Sequence, residues 1–166
     1  TAESSGHTLV VRAVKPSGFG RNELSVDLVI TAPAGLGLKC TTNVGDIRTV
    51  DFAGAVKAQT SVGVIACTSL RSDIDLHTNV GDIRAEYASD APAAITVDAS
   101  TNVGEIELAG PQEVSASLTA EANVGSINTD RPLTVTGHLK QSIKASLGNA
   151  EGRISLRTNV GSIHIR

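Results

Sequence analysis

Apolar and polar residues alternate with a period of two along most of the chain. In Ile74-Asp75-Leu76-His77-Thr78 the apolar positions are every second one, and after Asn79-Val80-Gly81 the run Asp82-Ile83-Arg84-Ala85-Glu86 resumes the alternation. The pattern predicts Ile74, Leu76, Val80, Ile83 and Ala85 on one face, with Asp75, His77, Asp82, Arg84 and Glu86 on the other. Period two is the mark of a half-buried β-strand rather than a helix. Ile95, Val97, Ala99, Val103, Ile106 and Leu108 repeat it, as do Ile154, Leu156, Val160, Ile163 and Ile165. Each stretch reads as strand, Asn-Val-Gly corner, strand. Looser turns follow at Ala88–Pro92, Gly110-Pro111 and Asp130–Pro132.

The corner is an internal repeat. TTNVGDI (Thr41–Ile47), HTNVGDI (His77–Ile83), STNVGEI (Ser100–Ile106), EANVGSI (Glu121–Ile127) and RTNVGSI (Arg157–Ile163) are strong copies. QTSVGVI (Gln59–Ile65) and KASLGNA (Lys144–Ala150) are weaker ones. The motif glycines Gly45, Gly63, Gly81, Gly104, Gly125, Gly148 and Gly161 are separated by 18, 18, 23, 21, 23 and 13 residues. The short last interval marks the Gly148 copy as a half-unit or an irregular coil. A unit of about 20 residues with two short strands buries its apolar face only by stacking on its neighbours. The expected fold is therefore all-β: a single-stranded β-solenoid, or parallel β-helix, of about six or seven short coils. An antiparallel sandwich of hairpins is the rival. The solenoid is preferred because stacked coils demand one corner chemistry at equivalent positions, and hairpins do not.

The structural corner set is Asn43, Gly45, Gly63, Asn79, Gly81, Asn102, Gly104, Asn123, Gly125, Asn159 and Gly161. Glycine supplies positive φ at little steric cost. Valine is expected to point into the core. The asparagines are expected to form a column whose amides hydrogen-bond as a ladder, interrupted at Ser61 and Ser146. Thr42, Thr60, Thr78, Thr101 and Thr158 suit strands by β-branching.

Residues 1–6 read as a flexible lead-in. Residues 7–39 carry longer strands at His7–Val14 and Glu23–Ile30 around the turn Pro16–Arg21, and are expected to cap the first coil. Residues 40–166 are the solenoid. The sequence stops within a motif strand, so Ile163 and Ile165 are expected to form an uncapped assembly edge, because an unpaired strand templates another chain.

Composition narrows the function. The formal charge is −3 and the only aromatics are Phe19, Phe52 and Tyr87. Weak acidity counts against a nucleic-acid partner, and aromatic poverty against an aromatic-lined ligand site or a base-stacking platform; no small-molecule substrate is identified. No run approaches the ~18 apolar residues of a spanning helix. Cys40 and Cys67 are too few for a disulfide scaffold and read as small apolar residues, with a single bridge left open. The sequence begins at Thr1 without Met, which suggests a removed signal segment or a piece of a longer protein.

Candidate chemistry is sparse. The position after the corner glycine holds Asp46, Val64, Asp82, Glu105, Ser126, Asn149 and Ser162. Only Asp82 and Glu105 are adjacent acids there, so the column reads as solvated charge pairs rather than the six to eight oxygens of a calcium site. His7, His77, His138 and His164 are scattered, Asp73 and Asp75 gather no cluster, and no Gly-x-Ser-x-Gly elbow occurs. Charged neighbours of the threonine column, among them His77, Glu121 and Arg157, spoil an ice-binding plane. No catalytic residue, cofactor or metal is expected.

Leu28-Val-Ile-Thr-Ala-Pro-Ala-Gly-Leu-Gly-Leu-Lys39, followed by TTNVGDI and Ala53-Gly-Ala-Val-Lys-Ala-Gln-Thr60, resembles an adhesin-labelled β-strand-repeat family of bacterial envelope proteins, itself of unknown function. The resemblance covers about residues 7–166. It implies a right-handed β-helix, an exported location (periplasmic, cell-surface or extracellular) and no active-site motif. The expected function is a non-enzymatic structural or adhesin-like module presenting a rigid face to a protein or cell-surface partner. The alternative is a self-assembling filament subunit growing end to end through β-edges.

Overall fold

In a computed structural model of the protein, residues 2–5, 8–11, 26–131, 134–135 and 141–166 are described. His7, His138 and the turn Pro16–Arg21 lie outside them. Every regular element among the described residues is a β-strand. The chain divides into two compact units, Thr1–Ala32 and Pro33–Arg166. In the first, β1 (Ala2–Ser5) and β2 (Thr8–Val11) pair antiparallel, so the lead-in contributes a strand. The strand expected at Glu23–Ile30 is absent over residues 26–30, where Val26, Leu28, Val29 and Ile30 are all exposed. Their alternation buries no face, so nothing selects a strand there. Within the second unit, Leu38–Thr41 already pairs in register with the repeats.

The second unit repeats one element: a strand, a glycine corner, and a second strand in another sheet. The pairs are β3 (Leu38–Thr41) and β4 (Ile47–Val50), β5 (Val56–Val62) and β6 (Ile65–Leu70), β7 (Ile74–Val80) and β8 (Ile83–Tyr87). There follow β9 (Thr96–Val103) and β10 (Ile106–Ala109), then β11 (Ala116–Val124) and β12 (Ile127–Thr129). After β13 (Thr134–Val135) and β14 (Ser142–Leu147) comes the last pair, β15 (Gly152–Val160) and β16 (Ile163–Ile165). The first strands form an eight-stranded sheet, β13-β14-β11-β15-β9-β7-β5-β3, and the second strands a six-stranded sheet, β12-β16-β10-β8-β6-β4. Neighbours are parallel except at β14, which runs antiparallel to both β11 and β13. This is the parallel, solenoid-like arrangement and not a hairpin sandwich.

The last pair does not sit at the end. β15 lies between β9 and β11, and β16 between β10 and β12. Core volume explains the insertion. Along one interior column the in-register residues are Ala58, Leu76, Ala99, Leu156, Ala120 and Ile143, alternating small and large. In sequence order Ala99 would face Ala120, and two small residues would leave a void whose lining loses its contacts. Leu156 fills that place and is fully buried. Ile47, Ile65, Ile83, Ile106, Ile163 and Ile127 form a second buried column across the core.

This arrangement overturns the assembly-edge expectation. Ile163 and Ile165 are 0% and 3% exposed, and β16 is hydrogen-bonded to a strand on each side. The irregular Gly148 copy also has its reason. It ends the reversed strand β14 with φ 55°, unlike the 136–150° of the other motif glycines.

Candidate functional site

Each corner sorts its residues by direction. The burial pattern of β7 alternates through Ile74, Leu76 and Thr78 and then leaves Asn79 and Val80 exposed. Threonine, not valine, therefore points inward. Val44, Val62, Val80, Val103, Val160 and Val124 are all exposed, between 47% and 76%, which corrects the expected inward valine. The bend breaks the alternation, so two successive side chains face outward. The inward hydroxyls are satisfied: Thr60 Oγ donates to the Gly45 carbonyl at 3.2 Å, Thr78 to Gly63 at 3.3 Å, Thr101 to Gly81 at 3.0 Å and Thr158 to Gly104 at 3.2 Å. Thr60, Thr78, Thr101 and Thr158 are buried, so they present no hydroxyl plane.

The glycines are held by two constraints. Gly45, Gly63, Gly81, Gly104, Gly125 and Gly161 have φ between 136° and 150°, a region essentially reserved for glycine. They also stack closely. A Cβ on Gly81 would lie 2.7 Å from the carbonyl carbon of Gly63, and one on Gly104 2.6 Å from that of Gly81. Glycine N–H groups carry the ladder round the bend, as in Gly104 to the Val160 carbonyl at 3.0 Å and Gly161 to that of Val124 at 2.9 Å.

The exposed asparagines form a ladder in spatial order. Asn102 Nδ2 donates to Asn79 Oδ1 at 2.9 Å, Asn159 to Asn102 at 2.9 Å, and Asn123 to Asn159 at 2.8 Å. Asn43 is separated from these rungs by Ser61, and the hydrogen bonds described there run from Ser61 and Val62 N–H to its backbone carbonyl. The acids after the glycine serve the backbone. Asp46 accepts from the Val64 N–H and Asp82 from the Glu105 N–H, each at 3.0 Å. The Val64 N–H, more than any other neighbour, holds the Asp46 carboxyl below its usual range; burial opposes it and Arg48 adds to it.

Beside the ladder, the outward face of the eight-stranded sheet holds a groove of about 340 Å³ lined by Gln59, His77, Ser100, Arg157 and the asparagines. His77 and Ser100 are directly paired across β7 and β9, and Arg157 follows on β15. His77 Nδ1 lies 2.5 Å from Ser100 Oγ, and Nε2 lies 2.5 Å from Asp75 Oδ1. The first contact is a hydrogen bond. The second is a close contact without hydrogen-bond alignment, so Asp75 Oδ1 has no aligned donor. Lys57 pairs with the other oxygen of Asp75. Burial pushes the Asp75 carboxyl up, but Lys57 and His77 outweigh it and hold it below the usual range. Arg157 Nε lies 3.5 Å from Glu121 Oε2.

Reading residues singly misses this cluster. The signal lies in the repeats: aligned copies place Gln59, His77, Ser100, Glu121 and Arg157 in one column, the residue before the threonine (Ala122 in the fourth). His164 lies on the other sheet, 3.4 Å from Asp130. Cys40 and Cys67 carry free thiols, both pushed up by burial.

Parallel strands, glycine corners and in-register columns define a solenoid-like repeat protein. The chain matches the model of the Toastrack DUF4097 family over residues 15–166 and belongs to that family, a domain of unknown function. The match supports the repeat fold and carries no adhesin label. No curated protein and no solved structure matches the chain.

Proposed function

We propose that the protein is an exported or envelope-attached module presenting one rigid solenoid face to a protein or cell-surface partner. In this reading the six strand–glycine–strand units are six turns of a solenoid. Its hand is right-handed, the sense that parallel crossovers overwhelmingly take. One observation carries the proposal: six exposed valines stand in register beside the asparagine ladder. Strands about 4.8 Å apart make this stripe roughly 24 Å long. Scattered surface valines are ordinary, but a contiguous apolar row rimmed by polar groups is a usual feature of interaction sites. Filament growth through β16 is not retained, because that strand has no free edge.

The experiment is binding of the fluorescently labelled chain to the cells that produce it, read by flow cytometry. Wild type is compared with a Val80→Asp/Val103→Asp variant whose melting curve is intact. Loss of binding in the variant supports the valine face. Equal binding by both overturns it.

A further inference from the structure

Beyond a binding face, the polar groove holds an arrangement of reactive groups. We propose that Ser100 is a nucleophile activated by His77, able to take an acyl group from a small polar ester and release it to water. His77 Nδ1 is 2.5 Å from Ser100 Oγ. To accept the serine proton, Nδ1 must be the bare ring nitrogen, which places the ring proton on Nε2. That nitrogen faces Asp75 Oδ1 at 2.5 Å, and a carboxylate there favours this tautomer. The misaligned His77–Asp75 contact is compatible with the role, since catalytic hydrogen bonds are commonly poorly aligned before substrate binds. Lys57 anchors the second carboxylate oxygen and keeps Asp75 charged.

The rigid sheet positions all three. Asp75 and His77 are two residues apart on β7, so both project from one face, and register puts Ser100 opposite His77. Arg157, in register with Ser100 on β15, lines the same groove. Asn102 spends one amide proton on Asn79 and has a second. These two side chains are the donors for a developing oxyanion. The described lining of the groove is polar throughout, from Gln59 and Ser61 to Asn159, which fits a small polar acyl group.

In the step, Ser100 Oγ attacks the ester carbonyl carbon while its proton passes to His77 Nδ1. The carbonyl electron pair moves onto oxygen. Collapse of the tetrahedral adduct breaks the C–O bond, and the departing alkoxide takes the proton from Nδ1. Water, deprotonated by the same nitrogen, then attacks the acyl carbonyl carbon; the adduct breaks its bond to Ser100 Oγ, which takes the proton back from Nδ1, and the free acid leaves. Asp75 acts through His77 and is a positioning residue.

The test is labelling with a small alkyl fluorophosphonate, which phosphonylates activated serines with loss of fluoride, followed by intact mass and peptide mapping. One adduct at Ser100 is expected, absent in Ser100→Ala and formed at least 100-fold more slowly in His77→Gln. Asp75→Asn should slow labelling about tenfold with little change in melting temperature, a separation that a merely structural role would not give. An unlabelled Ser100 in folded protein after prolonged exposure overturns the proposal. So does labelling that proceeds equally fast in His77→Gln. Circular dichroism of each variant separates either result from misfolding.

Discussion

Alanine at Gly81 and at Gly45 should have unequal consequences, and the difference measures the stacking of the corners. Their φ values are 141° and 136°, so the backbone strain of a non-glycine residue is similar at both, about 1–3 kcal/mol. Space separates them. A Cβ on Gly81 would meet the Gly63 carbonyl carbon at 2.7 Å, whereas on Gly45 the nearest atom is Thr42 Oγ1 at 3.8 Å. Carbon atoms rest about 3.5–4.0 Å apart, so the Gly81 variant must prise two turns apart. Overpacking of this kind costs about 1–3 kcal/mol more. Gly45→Ala should therefore lose about 1–3 kcal/mol and Gly81→Ala about 2–6 kcal/mol. For a chain of this size each kcal/mol lowers Tm by about 2–4 °C. Paired thermal melts and urea titrations, with the m-value checked for constancy, read the gap. Equal losses at the two positions would refute the stacked-corner argument.

Asn102→Ala removes two rungs of the ladder, each contributing about 0.5–1.5 kcal/mol, so urea unfolding should show a loss of about 1–3 kcal/mol, while Asn43→Ala should be near neutral. Lysine at both Ile163 and Ile165 should abolish folding rather than block association, because both side chains are in the core; a cooperative melt unchanged from wild type would contradict the intercalated β16. Asp46 and Asp75 have lowered folded pKa values, so their contribution is present above the ordinary carboxylate range and is lost as pH falls through the folded values. Tm should hold from pH 7 to about 5 and drop below about 4, less steeply in Asp75→Asn. Tyr87, whose hydroxyl donates to the Ser72 carbonyl at 3.0 Å, is raised by burial, so stability should also decline as pH climbs past the ordinary phenol value of about 10; Tyr87→Phe should flatten that limb.

The repeat was legible because a corner imposes the same chemistry at each level: glycine for φ, asparagine for the ladder, threonine for the strand. Two features were not legible from periodicity. The valines follow the alternation on paper, yet the bend turns Asn79 and Val80 outward together, and a period-two count has no means of seeing a corner. The order of the turns was the other. Sequence repeats give the units but not their neighbours, and the natural assumption of sequential stacking left the final strand as an open edge. The column Ala58, Leu76, Ala99, Ala120, Leu156 held the correction, since two adjacent alanines ask for a large residue between them. The His77–Ser100 contact was hidden likewise, because 23 residues separate the partners and only alignment of the copies brings them together.

The valine column is the one part of the motif that folding does not demand. Glycine is fixed by φ and by the carbonyl beneath it, and asparagine by its neighbours in the ladder. The outward position before the threonine varies freely as Gln59, His77, Ser100, Arg157 and Glu121. Valine nevertheless recurs in six strand–glycine–strand units with its side chain in solvent. β-propensity favours a branched residue in an extended stretch, but threonine meets that preference and adds solubility. A row apolar in every unit, where a polar branched residue would serve the backbone equally well, is what the proposed binding face predicts.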